Sequence, residues 1–158
     1  MAGYPMRAIR TDRWLYIRNL EPDRWPSGCP DGSTKGWNFA DCDNGPTKQF
    51  LLDQMNDPAI QPFYELAFAK RPAEELYDLQ ADPGQLRNVA TVPAHAAVKD
   101  DLAHRLTAEL TASGDPRMEG RGADLESHPF LGAMTDIPAV GGRDSGGSAR
   151  ERNNGSIQ

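Results

Sequence analysis

Between Ala94 and Ser113, Val98, Leu102, Leu106 and Leu110 recur every four residues, while Lys99, Asp100, Asp101, Arg105 and Glu109 fall off that stripe. The pattern is that of an amphipathic helix with one apolar face. A helix of this kind is held by what its stripe covers rather than by its own propensity, so the rest of the chain has to supply a surface for it. Pro93 suits the first turn, Gly114 suits the left-handed position just past the end, and Pro116 forbids continuation.

Upstream, "MRAIRTDRWLYIRNL" predicts a β-hairpin, with short runs over Met6 to Arg10 and Trp14 to Asn19 around the turn-prone Thr11-Asp12-Arg13. In the second run Trp14, Tyr16 and Arg18 face one way and Leu15, Ile17 and Asn19 the other, the period of a half-buried strand. Glu21 to Pro46 reads as a long irregular loop, and its Trp25, Trp37 and Phe39 are expected to pin it by packing. "PTKQFLLDQM" and "IQPFYELAFAK" predict two short helices separated at Asp57-Pro58. Their Phe50, Leu51, Leu52, Phe63, Tyr64 and Phe68 are more large apolar groups than a small sheet and one helix can cover, which predicts an exposed apolar patch. "EELYDL" predicts a strand over Glu75 to Leu79, followed by a turn at Asp82-Pro83-Gly84. Beyond about Gly132 the composition turns to Gly, Ser, Arg and Asn without periodicity, so the reading is one domain over 1–131 and a disordered tail over 132–158.

A length of 158 residues suits a single modest core. The net charge of −6 argues against a nucleic-acid or anionic-membrane partner, because neutralising phosphates takes a cationic field. No stretch approaches the roughly 20 consecutive apolar residues of a membrane span, and "MAGYPMRAIR" lacks the apolar core of a secretory signal. Cys29 and Cys42 allow one disulfide or none.

The chemistry motifs are mostly negative. Neither GxGxxG nor GxxxxGK[ST] occurs, and no GxSxG marks a nucleophile. "DCDNGP" resembles the start of a calcium loop, but Gly45 falls one place early and Leu52 stands where a bidentate Glu is needed. His95 and His104 lie about 180° apart on a helix and cannot converge on one metal, and His128 stands apart from both. Arg7, Arg10, Arg13, Arg18 and Arg24 crowd the first two dozen residues, with Lys48, Lys70 and Arg71 later. They read either as a solvated face with ion pairs or as one or two cations facing an anionic substrate.

"MRAIRTDRWLYIRNLEPDRWP", "CDNGPTK", "PFYELAFAKRPAEELYDLQADPGQLRNVA" and "TASGDPR" are similar, in order and spacing, to the C-terminal region of sulfatases, most closely of the bacterial heparan N-sulfatase (sulfamidase) type. The resemblance runs from Met6 to Arg117. It implies an α+β subdomain in which a small antiparallel sheet carries the C-terminal helix on one face and packs against a large catalytic domain. That domain would hold the formylglycine, made from a Cys or Ser in C/S-x-P/A-x-R, and calcium. In this chain neither Cys29, in "CPDGS", nor Cys42, in "CDNGP", has an Arg four residues on, so no cofactor and no catalytic residue is expected here. The implied function is a subdomain that lines the pocket for a sulfated sugar, not catalytically competent by itself, with Lys48, Lys70 and Arg71 as substrate-facing candidates. Local pairing of Lys70 and Arg71 with Glu74 or Glu75 is the competing reading. A free-standing binding module that keeps the fold without the chemistry is the alternative, and cellular location stays open because sulfatases of this kind are often exported.

Overall fold

Alternating apolar and aromatic positions around a threonine turn build the first hairpin. Strands β1 (Met6–Arg10) and β2 (Trp14–Asn19) pair antiparallel with Ile9 opposite Tyr16 and Arg7 opposite Arg18. Thr11 locks the turn, its amide donating to Trp14 O at 2.8 Å and its hydroxyl accepting from Trp14 N at 2.9 Å. Strand β3 (Glu74–Asp78) adds to the other side of β2, giving the order β1-β2-β3 with Tyr16 opposite Leu76. It starts and ends one residue earlier than the sequence reading, without changing which side chains share a face. The computed structural model describes residues 3–33 and 38–127, so Trp37, His128 and the expected tail lie outside the described residues.

Helix α3 (Ala96–Ala112) lies over β1 and β2. Leu102 and Leu106 of its stripe are buried against Tyr16 and Leu76, with Ile9, Trp14, Val98 and Leu110 packed around them. Each fully buried leucine contributes about 1.5–3 kcal/mol, so this contact is the main source of the helix's stability. Pro93 opens a 3₁₀ turn over Pro93–His95, so the α-helix proper begins at Ala96. Gly114, at φ +69°, takes the left-handed position at the far end, as its lack of a Cβ allows. The fold is thus α+β, a three-stranded antiparallel sheet with the helix on one face.

The other face of the sheet carries a buried polar group, Asn19, Glu75 and Tyr77, beside half-buried Leu15 and Ile17, while Met6, Ala8 and Arg10 of β1 stand exposed there. Glu75 accepts from Asn19 Nδ2 at 2.7 Å and from Tyr77 Oη, and Asn19 Nδ2 also donates to Pro72 O at 2.7 Å. Burial, and then the Glu75 carboxylate, push the Tyr77 phenol far above its ordinary pKa.

The long loop after β2 folds back on itself, Phe39 N donating to Cys29 O at 3.0 Å and Asp41 N to Ser27 O at 3.1 Å. Gly28, at φ +88°, is required at the closest approach, where a Cβ would stand 3.0 Å from Ala40 N. Phe39 stacks on Phe68 at 4.7 Å between ring centroids and meets Trp25 edge-on at 5.9 Å, so aromatic packing pins the loop as its composition predicted. Cys29 and Cys42 are free thiols within it. Helices α1 (Pro46–Asp53) and α2 (Gln61–Phe68) pack on each other beside this cluster. Of the expected patch, Phe68 is instead buried under Phe39 and Leu51, Leu52 and Tyr64 are half-buried, while Phe50 and Phe63 stand exposed, as do Met55 and Leu66, which the expected patch does not include. A last short helix, α4 (Gly122–Glu126), follows α3. No helix among the described residues is long and apolar enough to cross a membrane.

Candidate functional site

The three candidate cations occupy three different environments. Lys48 projects from α1 into the returning loop, where its ammonium donates to Phe39 O at 2.9 Å, Cys42 O at 2.9 Å and Asn44 Oδ1 at 3.1 Å. All three ammonium protons are thereby used, and the residue is only 6% exposed. Lys48 lines a cavity of about 660 Å³ with Phe39, Leu52, Met55 and Tyr64, but its charge is already engaged by the loop.

Lys70 is exposed at the end of α2, its Nζ 5.4 Å from the centroid of the Trp25 ring. This is a cation–π contact at a solvent-accessible position. Arg71, half-buried, donates from Nη2 to Leu66 O. Among the described residues no carboxylate pairs with either cation. Glu74 is taken by Tyr16 Oη at 2.6 Å and Lys99 Nζ at 3.1 Å, and Glu75 by Asn19 and Tyr77. The local-pairing reading of Lys70 and Arg71 with these two glutamates therefore does not describe the structure.

Arg71 stands at a concavity of about 540 Å³ on the sheet face away from α3, with Tyr4, Ile17, Asn19, Leu66, Glu75 and Tyr77 among its lining. Two buried polar atoms there, Tyr4 Oη and Asn19 Oδ1, have no hydrogen-bond partner among the described residues. A buried polar group left unmatched costs about 1–3 kcal/mol, so this face is under-satisfied in the chain by itself. Burial, then the Glu75 charge, raise the Tyr4 phenol, and the Arg71 cation offsets part of that rise. The arrangement offers one guanidinium without a carboxylate partner among the described residues, suited to an oxyanion, beside hydroxyl and amide groups that can hydrogen-bond a polar partner.

Most of the remaining arginines follow the ion-pair reading. Arg7 pairs with Asp115 at 2.6 Å and Arg13 with Asp78 at 2.8 Å, while Arg18 donates to Thr107 Oγ1 at 3.0 Å and so ties β2 to α3. A cluster that the sequence reading did not assemble joins Arg24 and Arg117 on Glu126. Arg24 and Glu126 are 102 positions apart, so no local pattern announces it.

The residues for sulfatase chemistry do not fit here. Ser33 and Pro46 stand four positions after Cys29 and Cys42, where formylglycine formation requires Arg. Among the described residues no group of three or more His, Cys, Asp and Glu side chains is placed to hold a metal ion. No step of sulfate hydrolysis is assigned to these side chains.

Over 115 residues, 70% of its length, the chain is 31% identical to an ulvan-active sulfatase of Formosa agariphila. A second ulvan-active sulfatase of that organism is 30% identical over 115 residues, 71% of this chain. Over this stretch the chain is similar to a sulfatase region. It spans only 17% and 18% of the lengths of these two curated relatives. No protein-family model matches the chain.

Proposed function

We propose that this chain is the C-terminal part of a sulfatase-type hydrolase, which docks on a catalytic domain and contributes a wall of its substrate pocket. The observation that carries the reading is the similarity to under a fifth of each of two sulfatases, in a chain whose described residues place no metal-holding group and whose two cysteines lack the arginine four positions on. Formylglycine and calcium then belong to the catalytic domain, in the same polypeptide or a separate one. The under-satisfied polar face around Tyr4 and Asn19, together with exposed Phe50 and Phe63, supports docking, because both features improve when a partner covers them.

The substrate is a sulfated sugar. Arg71 and Lys70 are the cations proposed to meet its anionic groups, since neither is paired to a carboxylate among the described residues; Lys48 serves by holding the loop. The relatives are named for ulvan, whereas "KRPAEELYDL" and "CDNGPTK" resemble the heparan N-sulfatase type, so glucosamine N-sulfate and an O-sulfated sugar are the pair to compare.

The test joins the chain to a sulfatase catalytic domain lacking its own corresponding region and measures kcat/KM for both sugars. Arg71→Ala is expected to lower kcat/KM roughly ten- to a hundredfold, the value of one charge-assisted contact in a partly dry cleft. Arg105→Ala, on the outer side of α3, should leave it unchanged. Equal values for all three proteins would remove Arg71 from the pocket.

A further inference from the structure

The cluster at Glu126 has the geometry of a bound ligand. Arg24 grips its carboxylate with both terminal nitrogens, Nη1 to Oε1 at 3.0 Å and Nη2 to Oε2 at 3.2 Å, and Arg117 Nη2 adds a third bond to Oε1 at 2.9 Å. Two guanidinium groups from distant segments thus converge on one two-oxygen anion, the arrangement that planar forks make for carboxylate, sulfate and phosphate groups. The cleft around them, of about 360 Å³, is lined also by Leu20, Glu21 and Gly120 and falls in the size range of small-ligand sites.

Arg24 has an anchor besides Glu126, since its Nη1 also donates to Gly3 O at 3.0 Å, and Arg117 packs against Gly122 at the start of α4, where a Cβ would come 3.0 Å from Arg117 Nη1. Among the described residues the Glu126 carboxylate is held by these two arginines alone. Glu126 ends the five-residue α4, which buries none of its own residues, and its side chain is 36% exposed. The other anion at the cleft is Glu21, whose Oε2 lies 3.9 Å from Arg24 Nε, so releasing Glu126 leaves two cations facing one carboxylate.

We infer that Arg24 and Arg117 form an oxyanion-binding site which the chain fills with its own Glu126, and that a carboxylate or sulfate group on an acidic sugar competes for it. The site itself rests on this geometry; only the choice of an acidic sugar as the competitor rests on the function proposed above. An intramolecular carboxylate acts at an effective concentration in the millimolar range or higher, so the site is self-blocked until the Glu126 side chain turns out to solvent. It would thus act as a latch.

The test uses the 158-residue chain without any catalytic domain, which separates its outcome from that of the proposed function. Glucuronate, glucose 6-sulfate and neutral glucose are titrated into wild type, Glu126→Gln and Glu126→Gln/Arg24→Gln while the Arg24 and Arg117 Nε–Hε resonances are followed by NMR. Glu126→Gln should bind one or both anionic sugars about tenfold or more tighter than wild type, with both arginine resonances shifting. Adding Arg24→Gln should abolish the gain, and glucose should bind to none of the three. Whichever of glucuronate and glucose 6-sulfate binds tighter identifies the preferred oxyanion. Equal affinity in wild type and Glu126→Gln, a gain that survives Arg24→Gln, or unshifted arginine resonances would overturn the inference.

Discussion

Replacing Lys48 by Met should unfasten the long loop while keeping nearly the same apolar stem. The substitution removes three donors at 2.9, 2.9 and 3.1 Å from a side chain only 6% exposed. Hydrogen bonds to a charged group are worth about 1.5–3 kcal/mol each, but these three share one ammonium whose desolvation cost disappears with it. Phe39 O keeps a second donor, Cys42 N at 3.0 Å, so it is not wholly orphaned. The net loss should be about 2–4 kcal/mol, a large share of the 5–15 kcal/mol typical of a domain. Urea unfolding followed by tryptophan fluorescence measures it, with Trp25 in the same aromatic cluster as a local reporter. Lys99→Met is the comparison, because its pair with Glu74 is partly exposed and worth only about 0–1 kcal/mol. A Lys48→Met chain within about 0.5 kcal/mol of wild type would refute the loop-anchoring argument and return Lys48 to the list of free cations.

Leu102→Ala, at the centre of the helix–sheet contact, should cost about 2–5 kcal/mol in the same assay. Leu86→Ala, at a side chain 66% exposed, should stay within about 0.5 kcal/mol of wild type, and a similar loss from both would contradict the core assignment. The pH dependence is also specified. Tyr16 and Lys99 at Glu74, Arg13 beside Asp78 and Arg7 beside Asp115 hold these carboxyls below their ordinary pKa values. Each therefore binds its proton more weakly folded than unfolded, so its contribution is complete above the unfolded value of about 4 and is lost as pH falls through the lower native value. Asp115→Asn should lose less stability than wild type below about pH 4 and show the same pH dependence as wild type between about pH 6 and 8. An unchanged acid limb in that variant would count against the Arg7–Asp115 pair as a contributor.

The helix stripe and the strand alternation were legible because each repeats a local period over several residues. Val98, Leu102, Leu106 and Leu110 mark α3, and Trp14, Tyr16 and Arg18 all lie on the face it covers. The start of α3 was less so, since Pro93 fits the first turn of an α-helix and of a 3₁₀ turn equally well. Lys48 read as a substrate-facing candidate because nothing in "PTKQF" records that residues 39–44 fold back over it. The burial of Asn19, Glu75 and Tyr77 was hidden for a related reason. Polar side chains alternating along a strand look solvent-facing until loops from elsewhere close over them. The Arg24–Glu126–Arg117 cluster depends on three distant segments meeting, which no sequence window contains.

Under the proposed function this chain completes a sulfatase catalytic domain rather than acting alone. The most direct test titrates the purified chain into a sulfatase catalytic domain lacking the corresponding region and follows hydrolysis of a sulfated sugar. The expected result is no turnover by the chain alone, low turnover by the domain alone, and a saturable rise in kcat/KM as the chain is added. Turnover by the chain alone that Cys29→Ala abolishes, or a catalytic domain that neither binds the chain nor gains activity from it, would contradict the account.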